Sequence, residues 1–219
     1  VGHWAGCRRR HLSAGHVLQY LTVPRRLRLS WSNPHGSTVH VITGRIDWNI
    51  DQPRYAAMTM KLHEIPFKTM QGAETTLSEF EGKAFLIVNV ASRCGLAPQY
   101  EALEQLQKLY GDRGLQVLGF PSNQFFQELR ANEAIQEFCS STYGITFPVL
   151  DRIRVNGRRE HPLYTELKKT PDAHGKAGRV RWNFEKFLVA PSGDVYRFRS
   201  RTEPDDPAVI NAIEQVLPQ

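Results

Sequence analysis

Two apolar runs set a helix apart constrain this chain more than any other feature. The first is Phe85-Leu-Ile-Val-Asn-Val90 and the second is Leu115-Gln-Val-Leu-Gly-Phe120. The first is apolar at nearly every position, as a parallel strand covered on both faces requires. Between them, Tyr100, Leu103, Leu106 and Leu109 recur at helical spacing, and Gly111 and Gly114 end the helix. Strand, helix and strand over this length make a βαβ unit with a right-handed crossover. Downstream, Asn132 is placed to cap a helix that runs through Ile135 and Phe138 to Gly144. A short apolar segment over 145–150 follows. Residues 161–167 read as a helix with Pro162 in its first turn. Residues 184–190 and 195–199 form a hairpin around Pro191-Ser-Gly-Asp194. Asp206 caps a last helix whose apolar face is Val209, Ile213, Val216 and Leu217. The pattern predicts an α/β fold, a small mixed sheet with helices on each side.

The charge is unevenly spread. The chain carries a net +6, and residues 1–57 alone hold eight arginines against Asp47 and Asp51. The rest of the chain is balanced, so its basicity does not point to nucleic acid. Residues 1–57 keep no helical or strand period. They read either as sequence upstream of a natural start at Met58 or Met60, or as an organelle transit segment, being rich in arginine and nearly free of acids. The folded domain is expected over 60–219, in the cytoplasm, or in an organelle if the tail is a transit segment. No run approaches the roughly 18 apolar residues of a membrane span. Three cysteines, an odd number, argue against a secreted disulfide framework. The histidines and glycines show no metal-ligand or phosphate-loop spacing. No metal or cofactor is expected, and His63, His161 and His174 are assigned to solvent or to helix caps.

Cys94 follows the first strand directly, and a helix pattern begins a few residues later. A thiol at such a junction sits near unpaired backbone N–H groups and the positive end of a helix dipole, both of which favour the thiolate. Three further segments accompany it: Phe120-Pro-Ser-Asn-Gln-Phe125 with Gln127-Glu128 beyond, and Trp182-Asn-Phe-Glu-Lys-Phe-Leu-Val189. Together with Asn89-Val-Ala-Ser-Arg-Cys94-Gly95, these blocks resemble the signature blocks of the glutathione peroxidase family, in the family's order, across about residues 61–219.

The resemblance implies a thioredoxin-like fold, a central mixed β-sheet flanked by helices, with Cys94 as the peroxidatic residue. It implies that the Gln127 amide, the Trp182 indole and the Asn183 amide are the donors that polarise the peroxide and support the thiolate. The family usually has Gly after Asn-Gln-Phe and then Gln-Glu-Pro-Gly. Here the chain reads Phe125-Phe-Gln-Glu-Leu-Arg130, one residue shorter, which leaves Gln124 as a rival to Gln127. Cys139, which lies 45 residues after Cys94, stands at the place of the resolving cysteine in the thioredoxin-dependent branch. Disulfide formation needs Cα atoms within about 7 Å, so Cys139 is expected to leave its helix during turnover. Ser122 stands where many relatives have another cysteine.

The implied activity is a thiol peroxidase acting on hydrogen peroxide and organic or lipid hydroperoxides, an antioxidant recycled by thioredoxin or glutathione. The short connection from Leu167 to Trp182 suggests a monomer with an open site. Lys176, Arg179 and Arg181 are expected to be a solvated face. Two rivals stand beside this reading. A thiol–disulfide oxidoreductase usually carries Cys-x-x-Cys, and Gly95-Leu96-Ala97 argues against it. A peroxide sensor that relays oxidation to a partner protein uses the same chemistry and stays open.

Overall fold

The computed structural model describes residues 62–80 and 83–217. The readings made for residues 1–57 and for the start at Met58 or Met60 lie outside the described residues. A two-strand ribbon comes first, β1 (Phe67–Lys68) antiparallel to β2 (Glu74–Thr75), followed by a 3-10 turn at Leu77–Phe80. Then come β3 (Ala84–Val90), α1 (Gln99–Tyr110), β4 (Leu115–Pro121), α2 (Asn132–Tyr143), α3 (Pro162–Leu167), β5 (Lys186–Val189), β6 (Val195–Phe198) and α4 (Pro207–Val216).

The main sheet has the order β4-β3-β5-β6. Strands β3 and β4 run parallel, with Asn89 opposite Phe120, and the other two pairings are antiparallel. All seven residues of β3 are buried, which is why that run carries apolar residues on both faces. Leu86 and Val88 look into a core shared with Tyr100 and Leu103 of α1, Ile135 of α2 and Ile213 of α4. Phe85 and Ile87 look into a second core with Leu163, Tyr164 and Leu167 of α3. The sheet is thus covered on both faces, as the mixed pattern predicts. Gly119 in β4 allows the 147–149 segment close: a Cβ there would meet the Phe147 ring at 3.4 Å and the Val149 side chain at 3.7 Å.

Two local expectations change. Leu109 is 66% exposed, so the apolar stripe of α1 ends one residue further on, at the buried Tyr110. Asn132 is the first helical residue of α2 rather than its cap, which is Ala131. The Asn132 amide donates to Asp151 Oδ1 at 2.9 Å, a tertiary partner that outcompetes local capping. The other caps match their sequence signals. His161 Nδ1 accepts from the Leu163 N–H ahead of Pro162, and Asp206 Oδ1 accepts from the Ala208 N–H ahead of Pro207.

Candidate active site

Cys94 lies in the turn between β3 and α1 and is only 5% exposed. The Leu96 N–H points at its sulfur, 3.4 Å away. The turn is tied to the loop after β4 by two bonds. The Arg93 N–H donates to the Gln127 carbonyl at 2.8 Å, and the Ser92 N–H donates to Glu128 Oε1 at 3.0 Å. Burial raises the Glu128 carboxyl above its usual range, while the Ser92 and Leu129 donors pull it back.

The amides named from the resemblance meet in space. The Asn183 Nδ2 donates to Gln127 Oε1 at 3.0 Å across 56 residues of sequence. Asn183 is fully buried and Trp182 is 42% exposed. The indole leans on the Phe125 ring, with centroids 5.3 Å apart, so it stands at the surface of the site and not in a core. Asn89 of β3 holds this corner. Its Nδ2 donates to the Trp182 carbonyl at 3.1 Å, its Oδ1 accepts from the Glu185 N–H, and its carbonyl accepts from the Phe184 N–H at 2.6 Å. Asn89 carries no role in the sequence reading. The signal available was a polar residue inside an otherwise apolar strand.

Gln124, the rival amide, is used elsewhere. Its Oε1 accepts from the Val155 and Asn156 N–H groups at 2.6 and 2.8 Å, and its Nε2 donates to the Asn156 carbonyl at 2.9 Å. Its side chain is spent on the 155–156 loop. The turn after it passes through Phe126, which has φ 60 and is 92% exposed. The left-handed conformation explains why a glycine suits this position better.

Cys139 sits in α2, 3% exposed, in the same core cluster as Cys94 and Tyr100. Both cysteines are free thiols. Burial pushes the Cys139 thiol up to about 11; the Tyr100 hydroxyl holds it down in part, and the Glu128 charge adds to the rise. The arginine-rich approach to Trp182 is solvated, with Lys176, Arg179 and Arg181 all exposed. No helix among the described residues is long and apolar enough to cross a membrane.

The family model for glutathione peroxidase matches residues 62–168. The chain is 44% identical over 171 residues to the thioredoxin/glutathione peroxidase BtuE of Escherichia coli, covering 68% of this chain and 93% of that protein. It is 44% identical over 149 residues to the glutathione peroxidase-like peroxiredoxin 2 of Saccharomyces cerevisiae, covering 67% and 92%. Among solved structures, the apo form of Trgpx superposes with a TM-score of 0.55 at 39% identity, covering 72% of this chain and 98% of that one. A thioredoxin-like protein from Aeropyrum pernix, at 14% identity and a TM-score of 0.51, covering 74% and 98%, shares the fold. With near-complete coverage of relatives at this identity, and a family match that spans Cys94, Gln127 and Cys139, the chain belongs to the glutathione peroxidase family.

Proposed function

We propose that this protein is a thiol peroxidase that turns over through a Cys94 sulfenic acid and a Cys94–Cys139 disulfide. The observation that carries the reading is the bond between Asn183 and Gln127 on a loop fastened to the residue before Cys94. That bond occupies Gln127 Oε1 and leaves Nε2 of the same amide to donate toward a peroxide oxygen. The Cys94 thiolate attacks the terminal oxygen, an S–O bond forms as the O–O bond breaks, and the departing alkoxide, or hydroxide from hydrogen peroxide, takes a proton from solvent to leave as an alcohol or water. Neutral donors, with Trp182 at the rim, stabilise that developing charge.

The Cys139 sulfur then attacks the Cys94 sulfur. An S–S bond forms, the S–O bond breaks, and water carries away the hydroxide and the thiol proton. Cys139 stays protonated at neutral pH while buried, so it must leave its pocket first. Helix α2 makes this easy. Its only fully buried side chains are Ile135 and Cys139. The Ser140 and Ser141 hydroxyls bond back to the carbonyls of Gln136 and Glu137, which weakens a helix. The disulfide is reduced by a dithiol protein of the thioredoxin kind, as the name of the Escherichia coli relative supports, or by glutathione. The short Leu167–Trp182 connection fits a monomer open to bulky hydroperoxides, and free thiols fit a reducing compartment such as the cytoplasm.

The test is NADPH consumption with hydrogen peroxide, thioredoxin and its reductase, for the wild type, Cys94→Ser and Cys139→Ser. Loss in both variants supports the scheme. Loss only in Cys94→Ser moves the reductant to glutathione. Full turnover in Cys94→Ser rejects the peroxidatic assignment.

A further inference from the structure

We propose that Lys186 is a positioning residue for the peroxide site, its ammonium holding the turn that presents Trp182 and Asn183. The inference rests on the reading of those residues as peroxide donors.

Lys186 opens β5 and is 0% exposed, lying between Val88 of β3 and Phe198 of β6. Its Nζ donates to the Thr202 carbonyl at 2.6 Å, the Phe184 carbonyl at 2.8 Å and the Ser200 carbonyl at 3.4 Å. An ammonium has three N–H groups, and all three are used. Phe184 follows Asn183 directly and has φ 62. A bulky residue pays for a left-handed conformation, which persists only where the surroundings enforce it. Here both ends of the residue are held. Its N–H goes to the Asn89 carbonyl and its carbonyl to Lys186. Releasing the carbonyl lets Phe184 relax toward the extended conformation of the strand and turns Asn183 away from Gln127. Lys186 also reaches the cysteine side. The Ser200 carbonyl accepts a second bond, from Gln99 Nε2 at 2.9 Å, and Gln99 is the first residue of α1.

Packing alone does not require an ammonium here, since a methionine would fill the same stem and a buried charge is costly. Burial lowers Lys186 from 10.5 to about 7, with Glu203 and Glu185 opposing the fall. Glu185 is itself bound by Arg197 and Arg199. The neutral amine has two N–H groups for three carbonyls, so losing the proton frees one of them. Stability moves the other way. The folded chain holds this proton less tightly than the unfolded chain, so raising the pH from about 7 toward 10.5 favours the folded state at this group. A fall in rate across that window is therefore not unfolding driven by Lys186.

The experiment uses the full chain carrying Cys139→Ser. Cys94 is oxidised by hydrogen peroxide and, separately, alkylated by iodoacetamide, which reads the thiolate without needing amide donors. The ratio of the two rates isolates the donors. Lys186→Met is expected to lower the ratio about tenfold at slightly acid pH. The wild-type ratio should fall toward the variant's as the pH passes about 7, while the variant's stays flat. Glu203→Gln, at an exposed site, should move the wild-type inflection to lower pH and tests the idea even if Lys186→Met does not fold. Equal ratios in wild type and Lys186→Met, or a Glu203→Gln profile that does not move, overturn the proposal. Asn183→Ala is the control for the underlying reading: an unchanged ratio there means that the donors themselves are misassigned.

Discussion

Gln124 and Gln127 lie three residues apart and do opposite work. Gln124 satisfies two backbone N–H groups and one carbonyl of the 155–156 loop. Gln127 bonds to a single side chain, Asn183. Gln124→Ala should therefore cost about 2 kcal/mol of stability, because it leaves buried donors without an acceptor, and should spare the peroxide rate per folded molecule. Gln127→Ala takes the acceptor from the one buried Asn183 amide, so it should cost about 1 to 2 kcal/mol, and it should slow Cys94 oxidation about 100-fold. Urea denaturation and stopped-flow oxidation of the two variants check this; a swap of the two phenotypes would reverse the assignment. Both amides were visible in the sequence. Which one stays free of the 155–156 loop was not, because that choice depends on a segment 31 residues further on.

At the scale of elements, α2 is the part that must move in the proposed cycle. It is anchored by few buried side chains, and its last turn is loosened by serine hydroxyls bonded to its own carbonyls. Ser140→Ala combined with Ser141→Ala removes those bonds and substitutes better helix formers. The gain is about 1 kcal/mol in total. Local unwinding should become rarer by the matching factor of about five, and disulfide formation after a peroxide pulse should slow accordingly in rapid-quench experiments. An unchanged rate would mean that Cys139 reaches Cys94 without unwinding the helix. The sequence located this helix from Ile135 and Phe138 and ended it correctly at Gly144, whose φ of 59 suits a glycine. It misplaced the cap because Asn132 found Asp151, which is 19 residues away.

At the scale of the whole molecule, a buried cation network joins the hairpin to the loop that leads into the site. The Arg197 side chain is fully buried against Glu185. Its Nε donates to Glu185 Oε1 at 2.6 Å, and its remaining N–H groups reach the carbonyls of Lys168, Thr170, Gly178 and Arg179. Arg199 adds a bond to the same Glu185 and another to Asp172. Asp172 is held below the usual carboxylate range by the Lys176 N–H and Arg199. Arg197→Met should cost about 3 to 5 kcal/mol, since Glu185 would stay buried without its main partner. Chemical denaturation measures the loss, and a cost under about 1 kcal/mol would show that the network relaxes around the change.

The sequence by itself determined the order of elements from β3 onward, the parallel β3–β4 pair, the hairpin and the family. Each of these is written in local periodicity, in turn residues or in short blocks such as Trp182-Asn-Phe. Only the tertiary structure decided which amide Asn183 meets, that Leu109 faces solvent, and that Lys186 and Arg197 are buried and not exposed. A charged residue in a hairpin gives no local sign of burial. Its place depends on carbonyls from distant turns that converge only once the sheet has formed.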